Sequence, residues 1–90
     1  MSDTSILNRP LTSSMAHSLS VVVPMFNEEE LAADLVFAVQ DALQNYAFSW
    51  ELIVVDDGSS DATWVHLNHA AKQVGAHVRL IRLLRNFKQT

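Results

Sequence analysis

Along this chain the apolar residues switch repeatedly between a run-like pattern and a helical one. "LSVVVP", from Leu19, is a β-branched run closed by Pro24, which cannot donate to a ladder and is expected to end the strand. Asn27 then stands where a helix cap belongs, and Glu28, Glu29 and Glu30 suit the positive end of a helix dipole. Leu31, Leu35, Ala38, Val39, Ala42 and Tyr46 recur at helical spacing and predict a helix that buries this stripe and ends near Asn45. "WELIVVDD" returns to a near-continuous apolar run, the pattern of a strand covered on both faces in a parallel sheet. "GSSD" is a turn with Ser59, Ser60 and Asp61 as cap residues. Trp64, Leu67, Ala71 and Val74 resume the helical spacing, and Gly75 is a C-terminal stop. "HVRLIRLL" predicts a third strand, and "RNFKQT" runs off its end.

The resulting order is strand, helix, strand, helix, strand. That is an α/β fold, a βαβαβ Rossmann-like unit whose strands run parallel through right-handed crossovers. The pattern is absent before Leu19, so residues 1–17 read as a flexible polar leader and 18–90 as the folded part, with Met15 an alternative start. The leader has one arginine, Arg9, and no apolar run long enough for a signal peptide. No stretch approaches the roughly 18–20 apolar residues of a membrane-spanning helix.

Composition narrows the function classes. Ninety residues make at most one small domain, and a chain of this size buries only about 60–65% of the surface its unfolded form exposes. With 49% apolar and 18% charged residues it is an ordinary globular chain. The net charge of -4 argues against nucleic-acid binding, which needs a basic surface. The absence of cysteine excludes a disulfide scaffold and thiolate metal sites.

In an open parallel sheet, ligands gather outside the carboxyl ends of the strands. Three polar segments fall there: Pro24-Met25-Phe26-Asn27-Glu28, Asp56-Asp57-Gly58-Ser59 and Arg85-Asn86-Phe87-Lys88. Adjacent carboxylates such as Asp56 and Asp57 repel each other, and a fold keeps them where a cationic or hydrogen-bonding group meets them. A helix-capping turn would use the same residues. No Gly-x-Gly-x-x-Gly follows the first strand, which counts against dinucleotide binding. A response regulator would carry its acidic pair after the first strand, whereas here it follows the second.

"VVVPMFNEEE", "ELIVVDDGSSDAT" and "VRLIRLLRNFKQT" together resemble the start of the family 2 glycosyltransferases with the GT-A fold, and among them the polyprenol-phosphate sugar transferases of the dolichol-phosphate mannosyltransferase type. The resemblance covers Leu19 to Phe87. It implies the N-terminal, nucleotide-binding portion of a GT-A fold that holds the base and ribose of a UDP- or GDP-sugar. Carried over by residue, it places Pro24, Phe26 and Glu28 around the nucleoside, with Asn27 shaping the turn. Asp57 accepts a ring N–H of the base and Asp56 supports its loop, in keeping with a carboxylate's acceptor-only chemistry. Gly58 lets the backbone turn close to the ligand. Arg85 and Asn86 match an Arg-Asn-Phe-Gly stretch of the polyprenol-linked branch, where a guanidinium approaches the diphosphate. Lys88 stands where that branch has glycine.

The family's metal-binding Asp-x-Asp motif and catalytic base lie further along than Thr90. The resemblance therefore implies Mg²⁺ or Mn²⁺ for the full-length enzyme but no metal site and no catalytic residue within this chain. The expected reaction is inverting transfer of a hexosyl group to a polyprenyl phosphate or similar acceptor, cytoplasmic and peripheral to or anchored in the membrane. The 90 residues alone are expected to be an inactive fragment, with the missing C-terminal part or self-association covering an exposed sheet edge. The alternative is a non-catalytic βαβαβ module that binds a nucleotide or a protein.

Other patterns weigh less. His66 and His69 stand on one helix face without a third metal ligand nearby in sequence. Arg79, Arg82, Arg85 and Lys88 recur every three residues; on a helix they would form a basic stripe, but "VRLIRLL" favours a strand that alternates their faces. Trp50, Trp64 and Phe48 read as packing residues.

Overall fold

A computed structural model describes residues 18–84 of the chain. It contains strand β1 (Leu19–Met25), helix α1 (Glu29–Leu43), strand β2 (Trp50–Asp56), helix α2 (Thr63–Val74) and strand β3 (Val78–Arg82), in that order. The strands form one parallel sheet in the order β1-β2-β3. The βαβαβ reading of the sequence is therefore the observed architecture. The leader and the segment containing Arg85, Asn86 and Lys88 lie outside the described residues.

β1 runs one residue past Pro24, which pairs in register with Val55. Alternation explains why the ladder tolerates it. Leu19 donates its N–H to the Ser49 carbonyl and Met25 accepts from the Asp57 N–H, so the odd-numbered residues of β1 face β2. The Pro24 nitrogen points to the opposite edge, where a missing donor breaks no bond. Among the described residues that edge of β1 has no partner strand.

Two successive right-handed crossovers in one direction place both helices on the same face of the sheet. β2 consequently alternates. Trp50, Leu52, Val54 and Asp56 are buried beneath the helices, while Glu51, Ile53 and Val55 are half-buried on the other side. The expectation of burial on both faces thus gives way, among the described residues, to one covered face. Val22 and Ile81 remain 60% and 42% exposed on the other.

The core joins Leu52 and Val54 of β2 to Ala32 and Val36 of α1 and to Leu67 and Ala70 of α2. Ala32 and Val36 are the buried residues of α1, and Leu35 and Val39 of the expected stripe pack against the core beside them, as does Leu43; Leu31, Ala38, Ala42 and Tyr46 of that stripe are exposed. Two apolar stripes compete on this alanine-rich helix. The one with Ala32 and Val36 is the one buried in the core shared with α2 and β2. α1 ends at Leu43. On α2 the stripe is largely as expected, with Leu67 buried and Trp64 and Val74 packed against the core, and with Thr63 and Ala70 added to its buried face. Gly75 closes α2 at φ 97°, donating to the Ala71 carbonyl.

At the amino end of the sheet the Trp50 and His77 rings stack in parallel, 4.0 Å between centroids. His77 Nδ1 lies 2.9 Å from the Trp50 carbonyl. Phe48 is half-exposed and meets the ring of Tyr46 edge-on, so of the three aromatic packing residues it is the one outside the core.

Candidate functional site

Two loops leave the carboxyl edge of the sheet side by side: Phe26-Asn27-Glu28 after β1 and Asp57 to Ala62 after β2. Each opens a helix, and the first N–H groups of a helix have no partner within it. Their partners come from the opposite loop. Asn27, Glu28 and Glu29 donate their N–H groups to Ser59 Oγ, Thr63 Oγ1 and Asp61 Oδ2, at 2.8, 2.8 and 3.3 Å. In return Ser60 and Asp61 donate to Asn27 Oδ1, at 2.8 and 3.4 Å, and Ala62 donates to Glu29 Oε1 at 2.8 Å. Three consecutive N–H groups where each loop enters its helix are thus bonded by side chains of the other loop and its first helical residue.

This arrangement corrects the local reading of the caps. Asn27 is not the N-cap of α1; that position is Glu28, and Asn27 sits in a left-handed conformation at φ 50°. Asparagine tolerates that backbone better than most residues, and there its side chain reaches across to the second loop. Likewise Ala62, not Ser59, Ser60 or Asp61, is the N-cap of α2. Asp61 Oδ1 accepts the Thr63 N–H at 2.9 Å and also the Thr63 hydroxyl. The bond from the Thr63 hydroxyl, ahead of those from the Thr63 and Glu29 N–H groups, holds the Asp61 carboxyl below its ordinary value of 3.8, against an opposing effect of burial.

Asp56 and Asp57 have separate environments despite their adjacency. Asp56 is fully buried; its Oδ1 accepts the Ser59 N–H at 3.1 Å and the Ser59 hydroxyl. Asp57 is half-buried, its N–H tied to the Met25 carbonyl at 2.9 Å. Gly58 follows at φ 79°, a conformation that any side chain would strain. Around this turn stand Pro24, Phe26 and Glu28, all exposed, with Phe26 at 46%. The structure brings together seven of the residues singled out in the sequence: Pro24, Phe26, Asn27, Glu28, Asp56, Asp57 and Gly58. Arg85 and Asn86 lie outside the described residues.

What sequence reasoning missed is the cross-loop lattice of Glu29, Ser59, Asp61 and Thr63, and the role of Arg82. The signal was the density of short oxygen-bearing side chains in "DDGSSDAT", more than one helix end needs.

The electrostatics favour a ligand group that donates hydrogen bonds. Glu28, Glu29, Glu30, Asp57 and Asp61 crowd the rim, and at the helix starts, where phosphate often binds, the N–H groups of Glu28, Glu29, Ala62 and Thr63 are already taken by side chains. A concavity of about 360 Å³ lies between Asn27, the three glutamates and Asp61, and a groove of about 500 Å³ runs beside Pro24 and Glu28 toward Leu31 and Leu35. A wider hollow, about 670 Å³, runs along α2 from Trp64 and Val65 to Lys72 and is bordered by Ala33 of α1.

The described residues do not fit a divalent metal. Asp56 is committed to Ser59 and faces Arg82, and no three His, Asp or Glu side chains among the described residues converge on one point. His66 Nδ1 lies 2.8 Å from the Glu29 carbonyl, which joins the histidine to the helix start instead. Arg79 and Arg82 occupy opposite faces of β3, bonded to Glu51 and facing Asp56 respectively, so they form no stripe. No helix among the described residues is long and apolar enough to cross a membrane.

Comparison with known proteins agrees with this geometry. The family model described as glycosyl transferase family 2 matches residues 20–90. A dodecaprenyl-phosphate galacturonate synthase of Rhizobium johnstonii is 49% identical over 72 residues, which cover 80% of this chain and 21% of that protein. An undecaprenyl-phosphate 4-deoxy-4-formamido-L-arabinose transferase of an Enterobacter species is 37% identical over 81% of this chain and 22% of its own length. The chain thus spans about a fifth of the curated relatives it matches. Among solved structures, a glucosyl-3-phosphoglycerate synthase of Mycobacterium tuberculosis superposes with a TM-score of 0.54 at 26% identity, over 72% of this chain and 21% of that one. The same enzyme in complex with Mn²⁺, UDP and glucosyl-3-phosphoglycerate gives 0.51 at 32% identity, over 72% and 20%. With its α/β unit, its paired loops and these matches, the chain belongs to glycosyl transferase family 2.

Proposed function

We propose that this chain forms the nucleoside-holding half of the donor site of an inverting glycosyltransferase that moves a hexosyl group from a UDP- or GDP-sugar to a polyprenyl phosphate. The observation that carries the reading is the juxtaposition of Asp57, Gly58 and Phe26 on two mutually capped loops at the carboxyl edge of a parallel sheet. Asp57 accepts the imide N–H of uracil or the N1–H and amino group of guanine. Gly58 keeps the backbone low beneath the ring, Phe26 and Pro24 flank the nucleoside, and Glu28 and Asn27 border the ribose. Asp56 supports the turn from below. By the family resemblance alone, Arg85 and Asn86 would serve the diphosphate.

The names of two relatives, a dodecaprenyl-phosphate and an undecaprenyl-phosphate sugar transferase, support a polyprenyl phosphate acceptor, and with such an acceptor the reaction would run at the cytoplasmic surface of a membrane. The Mn²⁺ in the complex of the mycobacterial enzyme supports a divalent ion for the complete catalytic site. When bound, such an ion would neutralise charge on the departing diphosphate, and by the family resemblance its ligands and the catalytic base would lie further along than Thr90.

Titration calorimetry with UDP, GDP and NAD, on the polypeptide as the gene encodes it, tests the reading. UDP or GDP is expected to bind and NAD not. Asp57→Asn is expected to weaken the preferred nucleotide roughly tenfold or more, since a hydrogen bond to a charged acceptor contributes about 1.5–3 kcal/mol. Preference for NAD, or indifference to Asp57→Asn, would overturn it.

A further inference from the structure

We propose that Arg82, the last residue of β3, is a positioning residue for the nucleoside loops, acting through Asp56 and Ser59 and touching no reacting atom. The proposal rests on the nucleotide-holding reading above.

Arg82 pairs in register with Asp56 across the parallel ladder. Its Nε lies 3.6 Å from Asp56 Oδ2, an oxygen that is fully buried and has no hydrogen-bond partner. Its terminal nitrogen donates to the Ser59 carbonyl at 3.3 Å, and the guanidinium carbon sits 5.2 Å from the centroid of the Trp64 ring. One guanidinium therefore meets the buried carboxylate, the loop backbone and the first turn of α2. Asp56 in turn accepts the N–H and hydroxyl of Ser59, and Ser59 Oγ accepts the Asn27 N–H. A continuous path runs from β3 through Asp56 and Ser59 into the loop that carries Phe26 and Asn27.

The residue type matters. A planar guanidinium serves two separate acceptors and lies over an aromatic face, whereas an ammonium does neither as well. No other Lys or Arg among the described residues substitutes: Arg79 is bonded to Glu51, and Lys72 lies in the last turn of α2. Without Arg82, Asp56 becomes a buried carboxylate with no counter-charge among the described residues, which a fold relieves by rearranging. Asp56 lies directly before Asp57, and its rearrangement moves the base acceptor and, through Ser59, the opposite loop.

The test measures UDP and GDP affinity in the polypeptide as the gene encodes it, with Arg82→Met, Arg82→Lys and the double variant Asp56→Asn/Arg82→Met. Arg82→Met is expected to weaken the preferred nucleotide about tenfold, the scale of coupling between contacting residues. Arg82→Lys is expected to lose less, keeping the charge without the fork. Adding Asp56→Asn to Arg82→Met is expected to recover part of the loss, because an amide needs no counter-charge yet still accepts from Ser59 through Oδ1. A general loss of fold would not reverse in this way. Trp64 emission should shift in Arg82→Met and much less in Arg82→Lys. Wild-type affinity in Arg82→Met, or simple addition of the two losses in the double variant, would overturn the positioning role. A wild-type protein that binds neither nucleotide overturns the donor-site reading first, and this role with it. Should Arg82→Met fail to fold, Arg82→Lys and the double variant decide the question.

Discussion

Leu52 and Asp56 are both fully buried residues of β2, on the same face of the sheet and one helix-covered layer apart. Leu52 lies in one apolar cluster with Val36, Leu67 and their neighbours, and its position is fixed by area and close packing. Asp56 meets Ser59 and Arg82, and its position is fixed by a small set of directed contacts. The difference teaches where this molecule keeps its stability and where it keeps its geometry. The apolar layer tolerates shape-conserving exchange and responds to lost volume. The rim has little area to lose, but its hydrogen bonds set the path of two loops, so it responds to the loss of single oxygens.

The largest effect should come from the apolar layer. Leu52→Ala is expected to destabilise by about 2–5 kcal/mol, the usual range for removing a buried leucine. Chemical denaturation would show this as a lowered midpoint. Nucleotide affinity, measured where the variant is still folded, should be near wild type, because the loops are anchored elsewhere. A comparable loss of affinity would erase the distinction between the two regions.

Thr63→Val sharpens the same comparison from the other side. It conserves volume but removes the hydroxyl that accepts the Glu28 N–H and donates to Asp61. Thr63 is fully buried, so the Glu28 donor loses its partner in a place water reaches poorly. A destabilisation of about 1–3 kcal/mol is expected, smaller than for Leu52→Ala. Nucleotide affinity should fall further than for Leu52→Ala, since the first loop is released. Denaturation and calorimetry on the two variants together provide the check.

The two regions also differ in how legible they were. Strand and helix order, parallel topology and the end of the sheet where the loops gather follow from local periodicity, as in "ELIVV" running into Asp56. The face of α1 did not follow, because Leu31 and Ala38 fit one helical stripe as well as Ala32 and Val36 fit another. Tertiary packing decides between them, and the core holds Ala32 and Val36 together with Leu67 and Ala70 of α2. The cross-caps were illegible for a related reason. Ser59, Asp61 and Thr63 are natural caps for their own helix, and nothing in their order reveals that their oxygens serve residues more than thirty positions earlier. Arg82 looked like one of four evenly spaced basic residues; its partner Asp56 is defined by the strand register alone.

The smallest effect tests the rim by pH. The Asp61 carboxyl lies below its ordinary value of 3.8 chiefly because it accepts the Thr63 hydroxyl, then the N–H groups of Thr63 and Glu29. A folded value lower than the unfolded one means that the unfolded chain binds the proton more readily. The contribution is therefore complete above the unfolded value and is lost as pH falls through the lower folded one. Asp61→Asn should remove this part of the acid dependence, because an amide does not titrate, while retaining one acceptor oxygen for the cross-cap. Thermal melts of wild type and Asp61→Asn should consequently converge as pH drops below about 4 and stand furthest apart near neutrality, with Leu52→Ala running parallel to wild type throughout. If Asp61→Asn instead stayed parallel to wild type across that window, the two helix starts would be held by packing alone, and rim and core would not differ in kind.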